Sequence, residues 1–201
     1  MTNHKIISKL CILVNHKNSV IGHHAAYSLG LGFSREDSTP IIDHAITEGV
    51  FSKFLQLLYQ HGETSNLAKH LWALSNISGG TTNQVAAFIQ EEELVQRILI
   101  LIQNNSLSVK CESLFVITNA IVCSDTELRM NFFSKFKQDL IDPLCKSIEV
   151  LKHKKVVLIE IITALACLLE LDSVYPNDLV EENSVRFMID SASGFDSLSE
   201  L

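Results

Sequence analysis

The chain has only three prolines and eight glycines in 201 residues. So few breakers, with Leu, Ile, Ala and Glu at three- and four-residue spacings, argue against a hairpin-rich architecture and predict a chain that is nearly all helix. No C-x-x-C pair occurs among the five cysteines (Cys11, Cys111, Cys123, Cys145, Cys167), which are odd in number, scattered and mostly set among apolar residues. That pattern fits buried, reduced thiols in an intracellular protein better than a disulfide framework. Positive charge is in the minority: 16 Lys+Arg face 23 Asp+Glu, a formal net charge of -7. Nucleic acid is thereby disfavoured as a partner, and the balance leans toward basic ones.

Long apolar runs are missing too. KIISKLCILV (5–14) is short and interrupted by Lys9, unlike a signal peptide. VVLIEIITALACLLEL (156–171) falls about one turn short of a membrane span and carries Glu160, so it reads as a packed helix and no membrane partner is expected. The eight histidines form no H-E-x-x-H and no zinc-spaced Cys/His cluster. His23 and His24 are adjacent, which on a helix aims them in different directions and argues against a metal pair. P-loop, G-x-G-x-x-G and G-x-S-x-G motifs are likewise missing, and SGG at 78–80 reads as a helix break. No enzyme, metal or cofactor is expected.

What the sequence does contain is a long repeat. LWALSNISGG (71–80) and LFVITNAIVC (114–123) lie 43 positions apart, and each places an aromatic residue four positions before an asparagine: Trp72 with Asn76, Phe115 with Asn119. Around them the same order recurs. After the Gly-Gly break come TTNQVAAFIQ, ELVQRILILIQ, a polar break NNSLS (104–108) and the helix carrying Asn119. Next come TELRMNFFSKF, LIDPLCKSIE, KHKK and the apolar run 156–171, and upstream AITEGVFSKFLQLLYQ precedes LAKHLWALSN. A short, medium and long helix with a period in the low forties is the signature of armadillo-type repeats. The fold expected is all-α, a right-handed superhelical armadillo solenoid of about four repeats forming one domain, 1–201. Its parts would be a partial repeat 1–22, repeats at about 23–80, 81–124 and 125–172, and a partial repeat 177–201, truncated at both ends.

In the segment VKCESLFVITNAIV, Val109, Leu114, Ile117 and Ile121 form an apolar stripe, while Glu112, Phe115 and Asn119 fall on another face. In stacked repeats the long third helices line a groove, which puts the aromatic and asparagine pairs on its surface. An aromatic at i and an amide at i+4 project from one face. The amide can pair with both N–H and C=O of an extended peptide. Aromatic planes from successive repeats leave slots for Lys or Arg stems, and an acid at the rim completes recognition of a basic ligand. The same residues admit plainer readings: Trp72 and Phe115 as packing between adjacent helices, Asn76 and Asn119 as hydrogen bonds to the neighbouring repeat's backbone, Glu112 and Asp37 as solvated charges.

WALSNISGGTTNQV (72–85) and ESLFVITN (112–119) resemble the repeats of importin-α (karyopherin-α), the receptor family for nuclear localisation signals, whose third helices carry W-x-x-x-N. AAYSLGLGFSRED (25–37) is similar to another such helix with Leu31 in the Asn place, and NSVRFMIDSASGFDSLSEL (183–201) is similar to a shortened last repeat. The resemblance runs from about Lys5 onward and corresponds to the family's C-terminal half. It implies a nuclear import adaptor of cytoplasm and nucleus that binds basic nuclear localisation signal peptides of cargo in a minor-site-like groove. Trp72, Ser75 and Asn76 would form one rung, Glu112, Phe115 and Asn119 the next, with Asp37 as an acidic end. The family's basic N-terminal arm has no counterpart here, so importin-β binding is not expected. Four substitutions depart from the family: Lys69 stands where an acid precedes Trp72, Phe115 replaces Trp, and Leu31 and Cys167 replace Asn. The alternative is a shortened armadillo scaffold for protein–protein interaction that has lost signal binding.

Overall fold

The computed structural model describes residues 2–60, 64–103, 106–179 and 181–199. Within the expected break NNSLS, residues 104 and 105 lie outside the described residues, as do the last two residues of the expected terminal repeat, 200 and 201. No strand occurs among the described residues. The helices run α1 Thr2–Val14, α2 Ser19–Phe33, α3 Thr39–Thr47, α4 Val50–Tyr59, α5 Thr64–Ser78, α6 Thr82–Gln90, α7 Glu92–Gln103, α8 Leu107–Val122, α9 Thr126–Phe136, α10 Gln138–Leu151 and α11 Lys155–Val174. A 3₁₀ turn Glu181–Asn183, α12 Val185–Ser191 and α13 Gly194–Ser199 follow.

Short, medium and long helices recur as α3–α4–α5, α6–α7–α8 and α9–α10–α11. The first whole triplet starts at Thr39 rather than near residue 23, because α2 is itself a long third helix that closes the preceding partial repeat. Tertiary contacts gather the chain into two compact units, Met1–Cys123 and Ser124–Leu201, where the sequence suggests one domain.

In the first unit α5 lies between α2 and α8. Its inward face, Leu71, Ala73, Leu74 and Ile77, is fully buried, as are Phe54 of α4, Phe88 of α6 and Ile98 of α7. Each of these Leu, Ile and Phe side chains stabilises the unit by about 1.5–3 kcal/mol. Local chemistry sets the joints. Gly49 takes a left-handed φ of 70° between α3 and α4, where a side chain would be strained. Thr81 and Gln84 form a reciprocal capping box at the start of α6. The Gln84 amide also donates to the Thr39 carbonyl (3.2 Å) and to the Asp43 carboxylate (2.7 Å), tying α6 to α3. Arg97 of α7 donates twice to the Leu58 carbonyl, at 3.1 and 2.9 Å.

In the second unit α9, α10 and α11 pack around Phe132, Phe133, Leu144, Ile148, Ile161 and Leu168. Arg129 of α9 is buried and donates to the Ser124 carbonyl (2.9 Å), the Cys167 carbonyl (3.3 Å) and the Glu170 carboxylate (3.4 Å). Asp172 of α11 accepts from the backbone N–H groups of Val185 (2.7 Å) and Arg186 (2.8 Å), docking the start of α12. The run 156–171 lies inside α11, and none of the described helices is long and apolar enough to cross a membrane.

None of the five cysteines forms a disulfide. Only Cys11 and Cys145 are buried, and burial pushes each up to about 11. Cys111 on α8, Cys123 at the C-terminal cap of α8 and Cys167 on α11 are half-exposed, a departure from the expectation of buried thiols.

Candidate functional site

The candidate groove lies in the first unit, on the face shared by α2, α5 and α8. Helical periodicity splits α8 as the sequence suggests: Val109, Leu114, Ile117 and Ile121 are buried, while Glu112, Phe115 and Asn119 are half-exposed along one side. Trp72 and Asn76 occupy the equivalent side of α5 and are also half-exposed.

The asparagines follow a common rule. The Asn119 amide donates to the Ser75 carbonyl at 3.0 Å, and the Asn76 amide to the Gly30 carbonyl at 3.5 Å. Ser75 immediately precedes Asn76, and Gly30 immediately precedes Leu31, so each rung reaches the same position on the preceding third helix. The accepting carbonyls lie in the last turn of their helices, where partners are scarce. Asn76 also donates to the Trp72 carbonyl at 3.2 Å. The plainer reading of the asparagines is therefore realised on their donor side, and their side-chain oxygens accept no hydrogen bond among the described residues. Gly79 makes room for this stitch, since a Cβ there would come within 3.1 Å of the Asn119 amide nitrogen.

Asn119→Ala should accordingly destabilise the first unit by about 1 kcal/mol, the value of a typical net hydrogen bond. Larger losses are not expected, because the Ser75 carbonyl keeps the Gly79 N–H at 3.0 Å. Urea titration of the variant checks this.

The aromatic rungs also combine packing with exposure. A Cβ at Gly30 would lie 2.7 Å from Trp72 Cζ3, so the indole edge rests directly on the α2 backbone. Beside it lies Tyr27, its ring centroid 5.7 Å from that of Trp72 at a 40° tilt. Tyr27 is four residues before Leu31, the same spacing as Trp72 to Asn76, and that spacing is the signal by which this rung could have been found. Lys69 places its Nζ 5.7 Å from the Tyr27 centroid, within cation–π reach. The chain's own cation thus sits at the aromatic pair.

Glu112, one turn before Phe115, is half-buried and has no hydrogen-bond or ion-pair partner among the described residues. Burial pushes its carboxyl above the usual glutamate value. Ser75 is buried, with its hydroxyl donating to the Trp72 carbonyl at 2.8 Å. Asp37 is not brought to the rungs. It is exposed after α2, paired with Arg35 at 3.2 Å, in a hollow with His4, Ile7, Pro40 and Ile41. Arg35, rather than Asp37, lines the cleft of about 400 Å³ that contains Ser75, Asn76 and Asn119.

His70 was not distinguishable by spacing. It is buried against Phe54 and its Nε2 lies 3.1 Å from Nδ1 of His23, the two rings stacked at 4.9 Å. Burial, then the neighbouring His23 and Lys69, lower it to about 4, so it is neutral near pH 7. Its Nδ1 has no partner among the described residues, so the contact with His23 is the ring's hydrogen bond there. Among the described residues no three His, Cys, Asp or Glu are grouped to hold a metal ion.

These helix triplets, and the stitch that repeats from one third helix to the next, define an all-α armadillo-repeat protein. Solved structures share the fold across nearly the whole chain. A designed armadillo repeat protein for modular peptide recognition matches with a TM-score of 0.75 and 17% identity over 97% of this chain and 74% of its own. A second design, in complex with a (KR)4 peptide, matches with a TM-score of 0.69 and 18% identity over 97% and 91%. An engineered protein of 21% identity gives 0.71 over 97% and 72%. No protein-family model and no curated protein sequence matches the chain.

Proposed function

We propose that the first unit is a binding scaffold for an extended basic peptide, laid across α5 and α8 in the manner of an importin-α minor site. The reading makes the protein a nuclear import adaptor of cytoplasm and nucleus, without catalysis of its own. The observation that carries it is Glu112: a half-buried carboxylate without a partner among the described residues, one turn from Phe115 and two from Asn119. A Lys or Arg side chain with its stem along Phe115 would supply the missing countercharge. The side-chain oxygens of Asn76 and Asn119 remain available to peptide N–H groups. The similar design in complex with the peptide (KR)4 is a case of an armadillo repeat protein with a basic peptide as its ligand.

The test uses Trp72, the single tryptophan. A lysine-rich octapeptide should perturb its fluorescence saturably, with matching calorimetric heat, and Asn76→Ala with Asn119→Ala should weaken binding by roughly tenfold, about 1.4 kcal/mol. Absence of both signals would refute the groove reading and favour a scaffold that engages partners elsewhere.

Lys69 refines the expectation. Its ammonium at the Tyr27–Trp72 pair repels an incoming cation, weakly because the site is wet. Lys69→Glu should tighten the lysine-rich peptide a fewfold, and Lys69→Gln should give part of that gain. The effect should shrink as the Debye length falls from about 30 Å at 0.01 M salt to about 10 Å at 0.1 M. Fluorescence anisotropy at both salt concentrations measures it; a weaker complex for the Glu variant would mean that Lys69 does not face the ligand.

A further inference from the structure

Between α2 and α5 lies a hollow of about 240 Å³ lined by Val20, His23, His24, Tyr27, Asn66 and Lys69. That is several times the roughly 30 Å³ share of one water. Its polar lining consists of an ammonium, two imidazoles, a carboxamide and a phenol, and no carboxylate among the described residues lines it. Every one of these groups can donate a hydrogen bond. The hollow sits at the position along α5 that Glu112 occupies along α8, since Lys69 and Glu112 each precede their rung aromatic by three residues. Adjacent third helices therefore offer opposite charges at equivalent places.

We infer that this hollow is an anion-accepting subsite, taking a carboxylate or phosphate side chain of the same peptide whose basic residue reaches Glu112. The inference rests on the groove reading and narrows its ligand from a uniformly basic peptide to a mixed one. Packed helices lie about 8–10 Å apart, and an extended chain advances about 3.3–3.6 Å per residue. The acidic and basic side chains of the ligand are thus two or three residues apart. Lys69 reaches the anion by leaving the Tyr27 ring, which it meets only at the outer limit of a cation–π contact, 5.7 Å. His24 is exposed and free to turn inward, whereas His23 is braced by its contact with buried His70. Behind them the neutral imidazole of His70 adds no charge, so the subsite's selectivity lies with Lys69 and the two lining histidines.

The test compares peptides of about eight residues that share a Lys-Lys pair and differ at one position, two or three residues to either side of it. That position is Glu, Gln, Ser or phosphoserine. With the full chain at low salt, anisotropy should show the Glu probe binding at least threefold more tightly than its Gln isostere, or the phosphoserine probe more tightly than its Ser parent, on one side of the pair. Which arm gives the larger preference identifies carboxylate or phosphate as the natural group. Lys69→Gln should erase the preference and His24→Gln should reduce it; both residues are exposed, and circular dichroism verifies that the variants are folded. Equal or weaker binding of the charged probes on both sides, with the plain lysine-rich peptide still bound, overturns the anion subsite and leaves the groove reading standing. If no probe binds, the groove reading fails and takes the subsite with it.

Discussion

Gly30→Val should destabilise the first unit by about 3 kcal/mol and lower its melting temperature by roughly 10 °C. The first added atom alone would lie 2.7 and 3.0 Å from Trp72 Cζ3 and Cε3 and 2.9 Å from the Cβ of buried Ala73. These are ring and backbone-proximal atoms, so the neighbours cannot give way cheaply. Valine adds two further methyls and a β-branch. Gly30→Ala should be milder, because alanine recovers about 1 kcal/mol of helix propensity against the same clash. The ring that must move is half-exposed, so the folded variants should show a red-shifted Trp72 emission and weaker peptide binding, with far-ultraviolet dichroism retained. Unchanged emission and stability in Gly30→Val would mean that α2 and α5 do not approach as closely as described.

Glu112 should act in opposite directions on stability and on binding. Burial holds its carboxyl above the ordinary value in the folded, unliganded protein. A group raised on folding contributes stability that is present below its unfolded pKa, about 4.3, and lost as pH rises through the folded value. Glu112→Gln should therefore be more stable than the parent at pH 7, with the difference vanishing below about pH 4. Peptide binding runs the other way. A bound Lys or Arg lowers the same carboxyl, so the proton leaves on binding and affinity rises with pH through the free-state value. Glu112→Gln should lose roughly tenfold in affinity at pH 7, about 1.4 kcal/mol, and Glu112→Lys more, as expected for a charge pair between fully exposed and fully buried limits. Calorimetry in two buffers of different ionisation enthalpy at pH 5 should detect the released proton in the parent and not in Glu112→Gln. Proton uptake, or identical profiles for the two proteins, would remove Glu112 from the ligand site.

Part of this site was legible from spacing alone. Trp72 with Asn76 and Phe115 with Asn119 repeat at a fixed interval, and a 3.6-residue helix puts i and i+4 on one face whatever surrounds it. Lys69 stands out only through the resemblance, as a base in the place where an acid precedes the aromatic. Tyr27 carried the same spacing toward Leu31, but without an amide at i+4 the pattern does not stand out. Asp37 shows the converse: an acid near the end of α2 in sequence, it turns to Arg35 instead, because loop geometry after the helix is not periodic.

The sequence by itself determined the all-helical class, the short–medium–long order of the repeats and the faces of α5 and α8, since these depend on propensity and period, which are local. Only the tertiary structure decided what each exposed-face residue touches. The asparagine amides were equally suited to a ligand or to a neighbouring helix, and helix proximity committed their N–H groups to the Ser75 and Gly30 carbonyls. His70 and His23, 47 residues apart, meet because α2 and α5 pack side by side. Glu112 is half-desolvated for a related reason: burial depends on what the rest of the chain brings against a position, and no window along one helix contains that information.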